Sequence, residues 1–435
     1  MKIPRATLLL LTLGVAAAAY AASSGDSADP APRAANALDR QVETDAQAAL
    51  QRGRTTFRYS TFRSQTFFGG LLRLHEPVSR LTPRQALAAG LKVDADAVPP
   101  DVLAGADLDD PATTVALLQL NAVVGVRGVF GPDPAVNGGL TSLGITCAFC
   151  HSTVDDSAAP GIGRRLDGWP NRDLNVGAVL GLSPNLAALA ERLRVDVPTV
   201  RTVLASWGPG RFDAALFLDG KAFRPDGKTA AVLIPPAYGL AGVNQHTYTG
   251  WGSVPYWNAF VANLEMAGKG TFYDPRLNDP ERFPLAAAHR LDDKRDPIDT
   301  VSGRLADLHF YQLALRAPAP PAGSFDAAAA ARGTALFAGK ARCATCHVPP
   351  LYTDSGLNLH RAEEIGIDDF QARRSPTEQY RTTPLAGLGT RTKGGYYHDG
   401  RFATLGAVVS HYDRHLRLGL TAQEKGDLVE MLKSL

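Results

Sequence analysis

The sequence predicts a mainly α-helical protein in two parts, the first of them enlarged by loop insertions. Three observations predict it. Helix-start signals recur along the chain while long alternating strands are scarce. A Cys-x-x-Cys-His motif occurs twice, at 147–151 and 343–347, and uses all four cysteines. A stiff Pro-rich stretch at 316–323 separates the segment carrying the second motif from the rest.

Composition bounds the answer. The chain has 435 residues, room for two or three domains, and its 45% hydrophobic content excludes a disordered or collagen-like chain. Lys and Arg number 45 against 43 Asp and Glu, a formal net charge of +2. No basic field is present to hold a nucleic acid, and no basic run favours a membrane surface.

The elements follow in order. Residues 1–21 read as a cleaved signal peptide: Lys2 and Arg5 give the charged start, Leu8 to Ala19 the apolar run, and Ala19 to Ala21 a small-x-small cleavage site. The expected location is periplasmic or secreted. The apolar run is too short for a permanent span, and no other segment reaches a span's length. Residues 22–45, rich in Ala, Asp and Ser, are expected to be a flexible arm. Asp110 and Pro111 open a helix bearing Val115, Leu117, Leu118 and Leu120. Ser183 and Pro184 are expected to do the same before Leu186, Leu189 and Leu193. Gly/Pro-rich stretches at 131–144 and 207–238 read as loops. Asp326 caps a helix over 327–337, and Thr421 with Glu424 forms a capping box opening a terminal helix with Leu428, Met431, Leu432 and Leu435 on its apolar side.

Both motifs have the spacing of c-type haem attachment. Two thiols three positions apart reach the two vinyl groups of one porphyrin, and the adjoining imidazole coordinates iron. A thioredoxin-like redox pair needs a βαβ setting, which is missing. A zinc site shared by the two pairs leaves the His after each pair unexplained. The sequence thus implies two covalently bound haem c groups, held through Cys147, Cys150, Cys343 and Cys346, with His151 and His347 on the irons. The fold class becomes two c-type cytochrome domains, at 46–315 and 324–435, joined by the linker 316–323. Methionine, the common sixth ligand in small c cytochromes, is scarce: Met1 leaves with the signal, Met431 lies on a core stripe, and only Met266 remains.

The region 380–435 carries Tyr380 and Pro384, then Tyr397-His398-Asp399-Gly400-Arg401, then two helices. It resembles the C-terminal half of bacterial di-haem cytochrome c peroxidases and their relatives, the MauG-type enzymes and the rubber oxygenases. Asn263-Leu264-Glu265-Met266 is similar to that family's Asn-Pro-x-Glu-Met segment, with Leu in place of Pro. The stretch from Asp167 to Asp173 and the segment from Ser206 to Arg211 resemble two further family segments. The likeness covers most of 145–435 in order.

The resemblance implies roles by position. Glu265 matches a glutamate beside an open haem, where a carboxylate can take and return the proton of a peroxide. Trp207 matches a tryptophan that relays electrons between the haems. Asp167 stands where peroxidases of the family can carry a displaceable His, so the N-terminal haem is read as open. The distal ligand of the second haem falls at His411 or Tyr412, with His411 favoured because imidazole is the better neutral ligand. A calcium ion between the domains is also implied, with Asp173 and Asn175 in its neighbourhood.

The sequence is therefore read as an exported di-haem c oxidoreductase. It binds peroxide or O2 at an open N-terminal haem and receives electrons through a six-coordinate C-terminal haem from a small cytochrome c or cupredoxin. The competing reading is a di-haem electron-transfer protein without turnover, in which His246 or Met266 closes the first iron.

Overall fold

The computed structural model describes residues 36–354, 356 and 358–435. The expected signal peptide and the first part of the expected arm lie outside the described residues. The chain divides into two units, 1–48 and 49–435. In the first, residues 37–48 are helical, the opening turns of α1 (Ala37–Tyr59). Residues 37–45 of the expected arm are therefore helical. Asn36 and Asp39 cap each other's backbone N–H groups, which starts the helix.

Among the described residues, the second unit is mainly helical with five two-stranded sheets. Helix α2 (Pro111–Gln119) begins where expected, its first turn capped by the Asp110 carboxylate on the Ala112 N–H. The strands β1 (Val126–Phe130) and β2 (Leu140–Ile145) pair antiparallel. The loop expected at 131–144 is thus partly strand, because Leu140 and Leu143 turn into the core. Strands β3 (Ser152–Val154) and β4 (Arg165–Asp167) follow the first Cys motif and pair with each other.

The helix expected after Ser183 starts later, at Ala187. The Ser183 hydroxyl donates to the Leu72 carbonyl at 2.7 Å and accepts from the Asn185 N–H, which holds a turn rather than a helix start. Helix α3 (Val197–Trp207) ends at Trp207. Helix α4 (Val254–Phe260) runs without a break into a π-helical turn, Val261–Glu265. Helix α5 (Ser302–Ala314) precedes the linker.

Helices α6 (Ala327–Ala338) and α8 (Ala422–Lys433) carry the expected caps. They touch at Gly333, where a Cβ would lie 2.1 Å from the Asp427 carbonyl oxygen. Helix α7 (Leu405–Leu416) completes this group. Its core comprises Phe337, Leu388, Leu405, Val409, Leu428 and Met431. A larger core gathers Leu72, Leu118, Leu140, Leu174, Leu189 and Trp207 around the first Cys motif.

Residues 316–321 have no regular secondary structure and 322–323 enter a turn, and the segment is not a free spacer. Built side chains at Gly387 and Gly389 meet Pro318 and Pro320, so the segment is packed along the C-terminal part. No described helix is long and apolar enough to cross a membrane.

Candidate active site

The first Cys motif occupies one helical turn, Ala148–His151, directly after β2. The backbone pins it: the Gly168 N–H donates to the His151 carbonyl and the Asn171 N–H to the Cys150 carbonyl. Gly125, at φ 78°, passes so close that a Cβ there would lie 2.1 Å from the Phe149 backbone. Cys147 and Cys150 are free thiols, each pushed up to about 12 by burial. His151 Nδ1 lies 3.1 Å from the Pro235 carbonyl oxygen. A proton held there leaves Nε2 as the lone-pair nitrogen. Burial pulls His151 down to about 4, so the ring is neutral at physiological pH, as a metal ligand must be.

A cavity of about 330 Å³ opens beside these three residues. Its walls are largely aliphatic and aromatic, and α4 and the π-helical turn line one side of it. Glu265 comes off the end of that turn into the cavity. The Asn263 side chain fixes the turn by donating to the carbonyls of Ala259 and Thr271. Single π turns recur at functional sites, because they re-aim one side chain out of register. Glu265 Oε2 is buried and meets no hydrogen-bond partner among the described residues. Burial holds its carboxyl well above the usual range, the nearby Asp213 charge adds to this, and Arg192 opposes it.

The C-terminal part also enters this cavity. Arg374, fully buried, spans Asp219 at 2.7 Å and Asp213 at 3.0 Å and lines the cavity with Gln371 and Arg381. Sequence reasoning missed Arg374. Its partners lie 155 and 161 positions away, and nothing local marks it.

The remaining candidates fall as follows. Trp207 is buried, with Nε1 unpartnered, and packs edge-on against Phe212. Phe212 lines the cavity and Trp207 does not. Asp167 is not a cavity residue. It accepts from Arg58 at 2.5 Å, Tyr311 at 2.6 Å and Ser152 at 2.8 Å, and so ties α1 and α5 to β4. Met266 and His246 both reach the cavity. Met266 packs among Phe57, Phe62 and Val124, while His246 Nε2 is engaged by the Val243 carbonyl.

The second motif opens with a short 3-10 turn, Cys343–Thr345. His347 repeats the arrangement of His151, with Nδ1 3.0 Å from the Tyr352 carbonyl oxygen, and burial lowers its pKa. Of the two residues expected opposite, Tyr412 is the one near the Cys343 and Cys346 thiols, and burial raises its phenol. His411 is turned aside: its Nε2 meets the Ile365 carbonyl at 2.9 Å, and its ring stacks on His415. Of the two, the geometry leaves Tyr412 nearer the second Cys pair than His411.

The expected calcium neighbourhood does not fit a cation. The Asp173 carboxylate already holds the Lys92 and Lys393 ammonium groups, each at 2.7 Å. Asn175 Oδ1 caps a short helix by accepting from the Ala178 N–H. Among the described residues no cluster of three metal-ligating side chains occurs. The Cys sites do fit haem c: each offers two thiols and an imidazole anchored at Nδ1, and the first adjoins an apolar cavity.

No family model matches the chain. It is 33% identical over 122 residues to methylamine utilization protein MauG of Methylorubrum extorquens, covering 24% of this chain and 34% of that protein. It is 30% identical over 151 residues to cytochrome-c peroxidase IdrP1 of Denitromonas iodatirespirans, covering 25% of this chain and 40% of that protein. The matched part thus spans between a third and two fifths of these curated relatives. Among solved structures, a hydrazine synthase of Kuenenia stuttgartiensis and a MauG-like protein associated with microbial copper homeostasis align with 49% of this chain at 20% identity, covering 75% and 76% of those chains. Their TM-scores of 0.29 and 0.28 are too low to establish a common fold. Over these segments the chain is similar to a MauG protein and to a cytochrome-c peroxidase, and both likenesses agree with the character of the Cys-x-x-Cys-His sites.

Proposed function

We propose that this chain is an exported di-haem c oxidoreductase that reduces peroxide or activates O2 at its N-terminal site and draws electrons through its C-terminal site. The observation that carries the reading is Glu265. A carboxyl with an unmade hydrogen bond faces the same cavity as the paired thiols and a neutral imidazole. When bound, a haem iron supplies one-electron redox chemistry and a coordination position for an oxygen ligand.

The chain's own residues supply the rest. His151, oriented by the Pro235 carbonyl, offers Nε2 from one side. Glu265, which lines the same cavity, accepts a proton from a peroxide at its carboxylate and returns it to the departing oxygen. A carboxyl whose pKa is lifted toward neutrality is the better base for that task. The apolar walls exclude water, which strengthens each charge interaction inside. The Asp213–Arg374–Asp219 cluster keeps a fixed negative bias near Glu265 and is supplied in part by the C-terminal half.

At the second site, His347 and Tyr412 are the residues that would hold the iron of a bound haem. Trp207 and Phe212 form an aromatic step next to the cavity that suits electron transfer into it. The electron donor is a small cytochrome c or cupredoxin, and the leader at 1–21 directs export. Asp173, whose carboxylate already holds two lysines, is not proposed as a calcium ligand.

Steady-state turnover of the haem-loaded protein with hydrogen peroxide and a reduced small cytochrome c tests the function. Consumption of two donor electrons per peroxide supports it. The carrier reading draws on His246 and Met266, which also line the cavity. Two low-spin EPR signals that ignore added peroxide support the carrier reading instead.

A further inference from the structure

Several buried arginines of this chain are paired with aspartates: Arg374 holds Asp213 and Asp219, Arg165 holds Asp94, and Arg58 holds Asp167. A cluster of three is not. Arg172, Arg381 and Arg391 gather around Tyr238 and Tyr248, and among the described residues none of the three forms an ion pair with a carboxylate.

Their contacts are all with neutral groups. Arg391 lies over the Tyr238 ring, 5.9 Å from its centroid, and donates to the carbonyls of Pro384 and Ala386. Arg381 donates through Nη1 to the Gln245 carbonyl, while its backbone N–H holds the Tyr248 carbonyl at 3.0 Å. Arg172 stands beside Tyr248 and against Gly394. Among the described residues three buried nitrogens meet no hydrogen-bond partner: Nε of Arg381, and Nε and Nη1 of Arg172. The cations also repel one another. Burial, with Arg391 nearby, pulls Arg381 down to about 10, and burial with Arg391 lowers Arg172 as well.

Sequestered charge without a counterion is strongly unfavourable, and planar guanidinium forks select carboxylates or phosphates. The missing anion must reach Arg381, and Arg381 lines the cavity that holds Cys147, Cys150 and His151. A haem attached there brings two propionate carboxylates. We propose that Arg381, with Arg391 and Arg172, is the seat of the propionates of the first haem. Two arginines of the C-terminal half thereby grip a cofactor tethered to the N-terminal half. Cations placed there disfavour the more positive ferric iron and raise the potential of that haem.

The proposal rests on the haem reading, and the test separates the two. The haem-loaded wild type, R381Q, R391Q, R381K and the surface control R84Q are compared by haem content and by potentiometric titration. The expected result is a lower potential for the first haem in R381Q and in R391Q at unchanged haem content. R381K should stay close to wild type and R84Q should not move. Arg391 is not a cavity-lining residue, so R391Q decides alone if R381Q fails to mature. Wild-type potentials in R391Q and R381Q with both haems present overturn the arginine assignment and leave the haem reading standing. A wild type without covalent haem overturns the haem reading itself, and the assignment with it.

Discussion

His411 and Tyr412 are neighbours in sequence, yet only Tyr412 faces the second pair of thiols. His411 is spent on the Ile365 carbonyl at 2.9 Å. The reason is helical geometry. Leu405, Val409 and Tyr412 follow an i, i+4, i+7 spacing and share the inward face of α7, while His411 and His415 share another.

This relationship predicts the ligand. Y412F should alter the electronic spectrum and the EPR signal of the low-spin haem. H411Q should leave both unchanged. The reverse pattern, read from the oxidised haem-loaded protein, returns the ligand to His411.

Glu265 predicts a pH effect with a definite sign. It accepts a proton only when ionised, and its pKa is raised by burial and by Asp213. The rate of reaction with peroxide should therefore rise with pH through a value above the ordinary carboxylate range. E265Q should lack that limb and react about 10² to 10⁴ times more slowly, the usual span for a positioned acid–base group. Stopped-flow kinetics across pH measures both.

Arg374 predicts a stability effect. Its guanidinium is fully buried between two aspartates, so R374M leaves two carboxylates sequestered without their cation. The expected loss is about 3–5 kcal/mol by denaturant unfolding of the haem-loaded protein. A loss below about 1 kcal/mol contradicts the account of the cluster as a paired, buried unit.

Asp173 predicts indifference to calcium. With Lys92 and Lys393 on its carboxylate, a strong chelator should change neither the spectra nor the thermal midpoint. A shift that added calcium reverses contradicts this reading.

What was legible in the sequence was mostly local. The Cys-x-x-Cys-His turns are specified within five residues, and the caps by Asp110, Asp326 and Thr421 with Glu424 within four. The inward placement of Tyr412 relative to His411 was also legible, since it shares the apolar spacing of Leu405 and Val409. What was not legible depends on distant partners. Asp173 reads as a calcium ligand until Lys393, 220 positions away, is placed on it. Ser183 reads as a helix cap until the Leu72 carbonyl, 111 positions away, claims its hydroxyl. Residues 140–144 read as the end of a Gly/Pro-rich loop, yet burying Leu140 and Leu143 makes a strand.

The account stands on iron porphyrin being bonded to both Cys pairs. The direct measurement is the intact mass of protein produced in cells that attach haem c, with C147S/C150S and C343S/C346S alongside. The account predicts the polypeptide plus two haem groups for the wild type and one for each double variant. A wild-type mass with no haem, or one unmoved by either pair of substitutions, contradicts it.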